Sequence, residues 1–407
     1  MEMAKANKLA IHGGTPVRTE PFPSWPRSTT EMRDSLVHTL EHEKWGVGSE
    51  AVKRFEEEFA KFHDARFALS TNSGTAALWI ALKAAGVKAG DEVIIPAYTF
   101  IATASAVLMA NAIPVFVDID AETLNMDPDL IDGAISEKTR VIMPVHIAGN
   151  PCHLTRIGEV AARHRIAMIE DAAQAHGAEW SGRKIGALGS GGIFSFQSTK
   201  NMSAGEGGII VSDDEAFIDT CFSYQNAGRV RSGAWYEHRY LGGNFRLSAF
   251  PAALLLAQFE MLESDMNVRD ANAAMLDDAL EKIPGLSCQR RYSETTRVSH
   301  HLYIVLYDKS AYGDTSRDEF MKAVSAEGIP VHTGYKPIYR EKLFDLDEEE
   351  FPWLKETDFS ATTLPVTERV SDEEAIWLKQ SCLLGGSEDT LDIVRAFEKV
   401  AEVYSSV

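Results

Sequence analysis

The sequence predicts an α/β fold: a mostly parallel central sheet flanked by helices, with a smaller α+β domain after it. Three observations predict this. Strand-like apolar runs alternate with helical patterns from residue 66 to residue 171. The last of these runs, IAMIED, ends in an acid, where parallel sheets of this kind place their ligands. A long helix begins near Phe250 and leads into a second, separate set of strands and helices.

The elements follow in order. Residues 1 to 30 read as irregular, with Pro16, Pro21, Pro23 and Pro26 spread through them. Glu31 to Trp45 reads as a helix. Glu50 to His63 reads as another, with Val52, Phe55, Phe59 and Phe62 at helical spacing. Then strand and helix alternate: Arg66 to Ser70 and Gly74 to Ala85; Glu92 to Pro96 and Ile101 to Ala110; Ile113 to Asp118 and Pro128 to Ile135; Val141 to His146 and Leu154 to His164. Ile166 to Asp171 completes the run, and Ile193 to Gln197 and Gly208 to Val211 are further strands. In the second domain, His300 to Leu306 and Ile329 to His332 read as strands, and Ser316 to Glu327 and Asp389 to Tyr404 as helices. The expected organisation is an N-terminal segment (1–40), a large ligand-binding domain (41–262) and a small C-terminal domain (263–407).

Composition narrows the function. The 407 residues carry a net charge of −20, which argues against a nucleic-acid partner, since that needs a basic surface. It does not exclude an anionic small substrate, because local basic residues can dominate a pocket. Cys152, Cys221, Cys288 and Cys382 are too scattered for a metal or redox motif, and no metal is expected. The N-terminal stretch lacks the apolar core of a signal peptide, and the longest apolar run is too short to span a bilayer. A cytoplasmic protein without a membrane partner is expected.

The chemistry centres on Lys200. It stands in FSFQSTKNMSAGEGG, between two strand-like runs and close to Gly205, Gly207 and Gly208, so it belongs to a tight turn. Asp171 stands at a strand end. A lysine on a loop and an acid at a strand end are what pyridoxal 5′-phosphate requires: the lysine forms a Schiff base, and the acid keeps the pyridine nitrogen protonated. In STNSGTAAL, the helix beginning at Gly74 and Thr75 offers free N–H groups that suit a phosphate. An ordinary helix cap accounts for the same residues, just as a surface lysine, a strand hydroxyl or a packed polar group accounts for Lys200, Ser195, Gln174 or His176 singly. Their order along the chain favours the cofactor reading.

These residues, with GDEVIIPAYTFIATASAV, PVFVDID, VIMPVHIAG, IEDAAQAHGA and GGNFRLSAFPAALLLAQ, resemble the DegT/StrS family of nucleotide-sugar and aminocyclitol aminotransferases over nearly the whole chain. The branch that looks most similar holds 3-amino-5-hydroxybenzoate synthase and the scyllo-inosose aminotransferases. The resemblance implies the type I fold of pyridoxal-phosphate-dependent transferases and transfer of an amino group from glutamate or glutamine to a keto sugar or cyclitol ketone, by a ping-pong mechanism. It implies that Lys200 and Asp171 are catalytic, that Gln174 lies near the ring's phenolic oxygen, and that Ser73, Gly74, Thr75 and Ser195 hold the phosphate. Phe100 would stack on the ring, although a core aromatic fits that position as well. Asn244 would reach the cofactor of a neighbouring subunit in a homodimer with shared active sites.

The acceptor is expected to meet His176, His238, Arg239 and Tyr335. A solvated loop would explain His238 and Arg239 equally well. Where many nucleotide-sugar members carry an HYxPxH-like pattern, this chain has HTGYKPIYREKLF, which argues against a nucleotide-linked acceptor. Rival readings are a sugar dehydratase of the same family, a lyase or desulfurase of the same fold, and a non-catalytic regulator. Lys200 opposes the first, whose members carry histidine there. Phe100 and the lack of a cysteine in a glycine-rich loop oppose the second. The retained lysine and acid oppose the third.

Overall fold

The computed structural model describes residues 8–234, 236–313, 315–347 and 349–405. Trp235, within the arginine-rich segment, and the first seven positions of the N-terminal segment lie outside the described residues.

Seven strands form the main sheet in the order Phe67–Thr71, Gly208–Ser212, Gly191–Ser195, Ala167–Asp171, Thr139–Ile142, Glu92–Pro96, Ile113–Val117. Ladders are parallel except around Gly208–Ser212, which runs against both its neighbours. Successive side chains of a strand point to opposite faces, and here both faces are dry. Val93, Ile95, Ile193 and Ile210 enter one core with Ala77, Leu78 and Val107. Ile94, Phe194, Ile209 and Val211 enter the other with Phe55, Phe59 and Leu255. That double burial is why the strands are apolar without interruption.

The helices start where the sequence supplies caps. The Ser49 hydroxyl accepts the Val52 N–H ahead of Glu50–Phe62, and Ser73 accepts the Ala76 N–H ahead of Gly74–Ala84. Asp214 caps the helix Glu215–Gln225, which the sequence reading passed over. Two expected elements are shorter than their apolar patterns. Thr139–Ile142 stops before Pro144, which has no N–H for the ladder, although Val145 still bridges to Asp171. The expected helix over residues 128–135 is reduced to Ile131–Ala134, and Gly133 inside it disfavours helix.

The second sheet is antiparallel, in the order Leu286–Cys288, Leu302–Tyr307, Ala375–Lys379, Val331–Thr333. Helices Arg317–Ala326 and Ser387–Tyr404 cover it, with Val305, Phe320, Leu378 and Phe397 in the core. Leu9, Val17 and Phe22 of the N-terminal segment pack here too. Conversely, Ile338, Tyr339, Phe344 and Phe359 pack into a core of the main sheet. One helix of 32 residues, Ala249–Leu280, joins the two sheets. Its Leu255, Leu262 and Met266 face the main core, and its Ala273, Leu276 and Leu280 face the second. The division placed near residue 262 falls inside this helix, and we propose that it marks the change of packing partner. Among the described residues no helix is long and apolar enough to cross a membrane.

Candidate active site

The carboxyl ends of the parallel strands gather the chemistry at one edge. Asp171 and Ser195 are the last residues of adjacent strands, and Ser73 and Gly74 follow Thr71. Because Gly208–Ser212 is reversed, its first residue lies at this same edge, opposite Ser195. The turn that carries Lys200 therefore leaves and re-enters the sheet at the ligand-binding edge.

Asp171 is buried. One carboxylate oxygen accepts the Thr103 hydroxyl at 2.9 Å and the other the Ala173 N–H at 3.2 Å. Burial pushes its pKa up, while those two donors and the charge of Lys200 pull it down. Lys200 is half-buried in a turn closed by its own N–H to the Gln197 carbonyl at 2.9 Å. Loss of water brings its amine down to about 8, against the pull of Asp171. An acid and an amine that each influence the other's ionisation mark this edge as a reactive one.

The strand-to-helix turn is tightly packed. A Cβ on Gly74 would come within 2.8 Å of Ser195 Cβ, and one on Gly208 within 2.5 Å of the Ser73 carbonyl oxygen. Ser73 is half-buried, and its hydroxyl is committed to the cap; Thr75 is half-buried in the first turn. Gln174 accepts the Ala148 N–H at 2.8 Å and donates to the Tyr335 hydroxyl at 3.2 Å. Ala148 holds a left-handed φ of 60° to present that N–H. Tyr335 stands edge-on to Trp377 with centroids 4.7 Å apart, and 6.1 Å from Phe100, whose ring is 53% exposed. The Trp377 indole in turn donates to the buried Tyr98 hydroxyl at 3.1 Å.

Of the other expected residues, His176 is within electrostatic reach of Lys200, and His238 and Arg239 lie elsewhere. His176 is wholly buried beside Phe194 and Phe196, at 5.5 and 5.6 Å between centroids, and burial holds its pKa well below the usual range. His238 and Arg239 are exposed: His238 Nδ1 lies 2.7 Å from the Ala227 carbonyl, and Arg239 pairs with Glu237 at 2.7 Å. Asn244 bridges to Asn226 and lines a cleft of about 560 Å³ with Glu56, Arg231 and Arg246, while the carbonyl of the next residue, Phe245, accepts the Asn72 N–H at 2.7 Å, one position before Ser73. Within one chain, then, Lys200, Asp171, Gln174, Ser195, Gly74 and Tyr335 occupy one edge, whereas His238, Arg239 and Asn244 do not join them. Thr103, Ala148 and Trp377 are additions. Thr103 is one of two hydroxyl residues, with Ser105, on the helix Ala102–Met109, so nothing in the sequence sets it apart, and Trp377 had no signal either.

The edge suits pyridoxal phosphate. The turn at a helix start, where Gly74 and Gly208 let the backbone pack closely, presents N–H donors suited to a phosphate, the buried acid fits a protonated ring nitrogen, and the depressed amine fits a carbonyl partner.

The fold is that of the type I pyridoxal-phosphate-dependent transferases. The chain belongs to the DegT/DnrJ/EryC1/StrS aminotransferase family, whose model matches residues 26–378. It is 35% identical to L-glutamine:2-deoxy-scyllo-inosose aminotransferase of Micromonospora echinospora, over 96% of this chain and 97% of that protein. It is 36% identical to 3-amino-5-hydroxybenzoate synthase of Amycolatopsis mediterranei, over 90% and 93% of the two chains. Among solved structures, a 3-amino-5-hydroxybenzoic acid synthase superposes with a TM-score of 0.85 at 32% identity, covering 95% of this chain and all of that one. The protein is an aminotransferase.

Proposed function

We propose that this aminotransferase uses pyridoxal phosphate to move an amino group from glutamine or glutamate to the ring ketone of a cyclitol or keto sugar, by a ping-pong mechanism. The observation that carries the reading is the pairing of a depressed lysine and a buried acid at one sheet edge. The cofactor, when bound, supplies a carbonyl for the amine and a ring that withdraws electrons.

The chain's own residues do the rest. The Lys200 amine, with a pKa of about 8, is a base and an acid near neutral pH, suited to carry a proton to and from the substrate carbon. The Asp171 carboxylate, its plane fixed by Thr103 and the Ala173 N–H, would hold the proton on the ring nitrogen, and Gly74, Thr75, Ser73 and Ser195 would hold the phosphate. Gln174, locked between Ala148 and Tyr335, would lie by the ring's phenolic oxygen, the exposed Phe100 would stack on the ring, and Tyr335 would meet the acceptor. Support for a cyclitol acceptor comes from the names of the scyllo-inosose aminotransferases among the relatives, and the HTGYKPIYREKLF segment argues against a nucleotide-linked one.

We further propose a homodimer in which Asn244 of each copy completes the other's phosphate site. Its position on a cleft lined by the exposed Val47, and not by Lys200 or Asp171, supports this.

The test is an amine-transfer screen in which glutamine and glutamate are each crossed with 2-deoxy-scyllo-inosose, a free keto sugar and a nucleotide-linked keto sugar. Transfer to the cyclitol ketone with parallel-line kinetics is expected. Turnover of the nucleotide-linked sugar alone would overturn the acceptor, and no transfer to any ketone would overturn the reaction.

A further inference from the structure

We propose that Trp25, on the proline-spaced N-terminal segment, is a positioning residue for Lys200. The proposal rests on the reading that Lys200 carries the cofactor.

The carbonyl of Lys200 lies in a turn, where no strand ladder or helix supplies a donor. The Trp25 indole N–H donates to it at 3.0 Å, across 175 positions of sequence. The indole is itself fixed. The Arg269 guanidinium lies over the ring at 5.7 Å, and Arg269 is fully buried, with its Nε and Nη2 donating to Gln380 Oε1 at 3.0 and 2.7 Å. Arg27 ties the neighbouring segment to Asp265 at 2.5 Å.

The rest of the turn is gripped from other directions. Asn201 donates to the Ser299 carbonyl at 2.6 Å, and Gln258 accepts the Ser203 N–H at 2.8 Å. Trp25 differs from these in holding the lysine residue itself. A lysine side chain has four rotatable bonds, so the placement of its amine depends on how firmly its peptide plane is fixed. The ionisable groups within electrostatic reach of that amine are Asp171, His176 and His301, the last with its Nδ1 3.3 Å from Asn201 Oδ1. A small tilt of the Lys200 peptide would change its approach to all three.

The experiment uses full-length, cofactor-loaded protein. Borohydride reduction and peptide mass spectrometry first establish whether the cofactor is fixed on Lys200. The pH midpoint of the bound cofactor's visible band, kcat, KM and the thermal midpoint are then compared for wild type, Trp25→Phe, Arg27→Ala and Arg18→Ala. Trp25→Phe keeps a ring under Arg269 but removes the donor. It should shift the spectral midpoint by about half a pH unit or more and lower kcat about tenfold, with KM within about twofold. Arg27→Ala frees the segment but leaves the indole, and should move the midpoint the same way by less; it decides the matter if Trp25→Phe does not fold. Arg18→Ala loosens the same segment further upstream, at Asp389, Asp392 and the carbonyls of Glu20 and Pro21, without touching Trp25 or Arg27, and should lower the thermal midpoint without moving the spectral one. A folded Trp25→Phe with wild-type midpoint and kcat overturns the positioning role. Wild-type protein with no cofactor fixed on Lys200 overturns the underlying reading instead, and the proposal with it.

Discussion

Gly74 and Ser195 touch so closely that a methyl group on Gly74 would sit 2.8 Å from the Ser195 Cβ and 3.2 Å from its hydroxyl oxygen. The first residue of a helix is thus packed onto the last residue of a strand, with no space for a side chain between them.

Gly74→Ala should therefore force the turn apart. The overpacking costs about 1–3 kcal/mol, and most of it should appear as weaker cofactor binding, because the displaced atoms form the proposed phosphate cradle. Titrating the apoprotein with pyridoxal phosphate should show a dissociation constant raised about tenfold or more. Unchanged affinity would place the phosphate elsewhere.

The Lys200 amine should react as an unusually acidic lysine. Only the neutral amine is nucleophilic, so its labelling by an amine-directed reagent should rise with pH. In the apoprotein half of the limiting rate should be reached near pH 8, where its amine titrates, whereas exposed lysines are still mostly protonated there. Peptide-resolved mass spectrometry measures this, and a Lys200 profile matching the exposed lysines would remove the proposed proton-carrying role.

Asp171→Asn should keep the geometry and lose the rate. The amide oxygen can still accept from Thr103 or Ala173, but it supplies no charge to hold a proton on the ring nitrogen. A fall in kcat of about 100- to 1,000-fold is expected, by analogy with the loss of other preorganised electrostatic groups, with cofactor content nearly retained. Steady-state kinetics beside the cofactor absorbance decides it; near-normal turnover would assign the role to another group.

How much was legible beforehand follows from where each signal sits. The parallel strands were legible because burial on both faces leaves uninterrupted apolar runs such as VIIP and IPVFV. The reversal of Gly208–Ser212 was not read, although the connection from Ser195 carries no helical pattern, and parallel neighbours need such a crossover. Ala375–Lys379 was missed because the acidic run just before it resembles a helical surface. Lys200 and Asp171 stood out through their immediate neighbours in sequence. Thr103, Ala148 and Trp25 did not, because each is defined by a partner that only folding brings close.

The proposed dimer makes a distinct prediction. Lys200→Ala and Asn244→Ala proteins should each be impaired, yet mixing them should restore activity. In a mixed dimer with two-fold symmetry both lesions fall in one site and the other is intact, giving up to about half of wild-type activity per mixed dimer. Subunit exchange followed by an activity assay measures it. Proven exchange without recovery would keep Asn244 in the service of its own chain.

The helix Ala249–Leu280 acts as a girder. Its 32 residues span about 48 Å, and it is bolted to one core at its first half and to the other at its second. A swing of one sheet against the other would have to bend this rod and break its regular ladder of hydrogen bonds. Such a rod holds the strand ends that carry Asp171 and the Lys200 turn in one fixed relation to the second sheet.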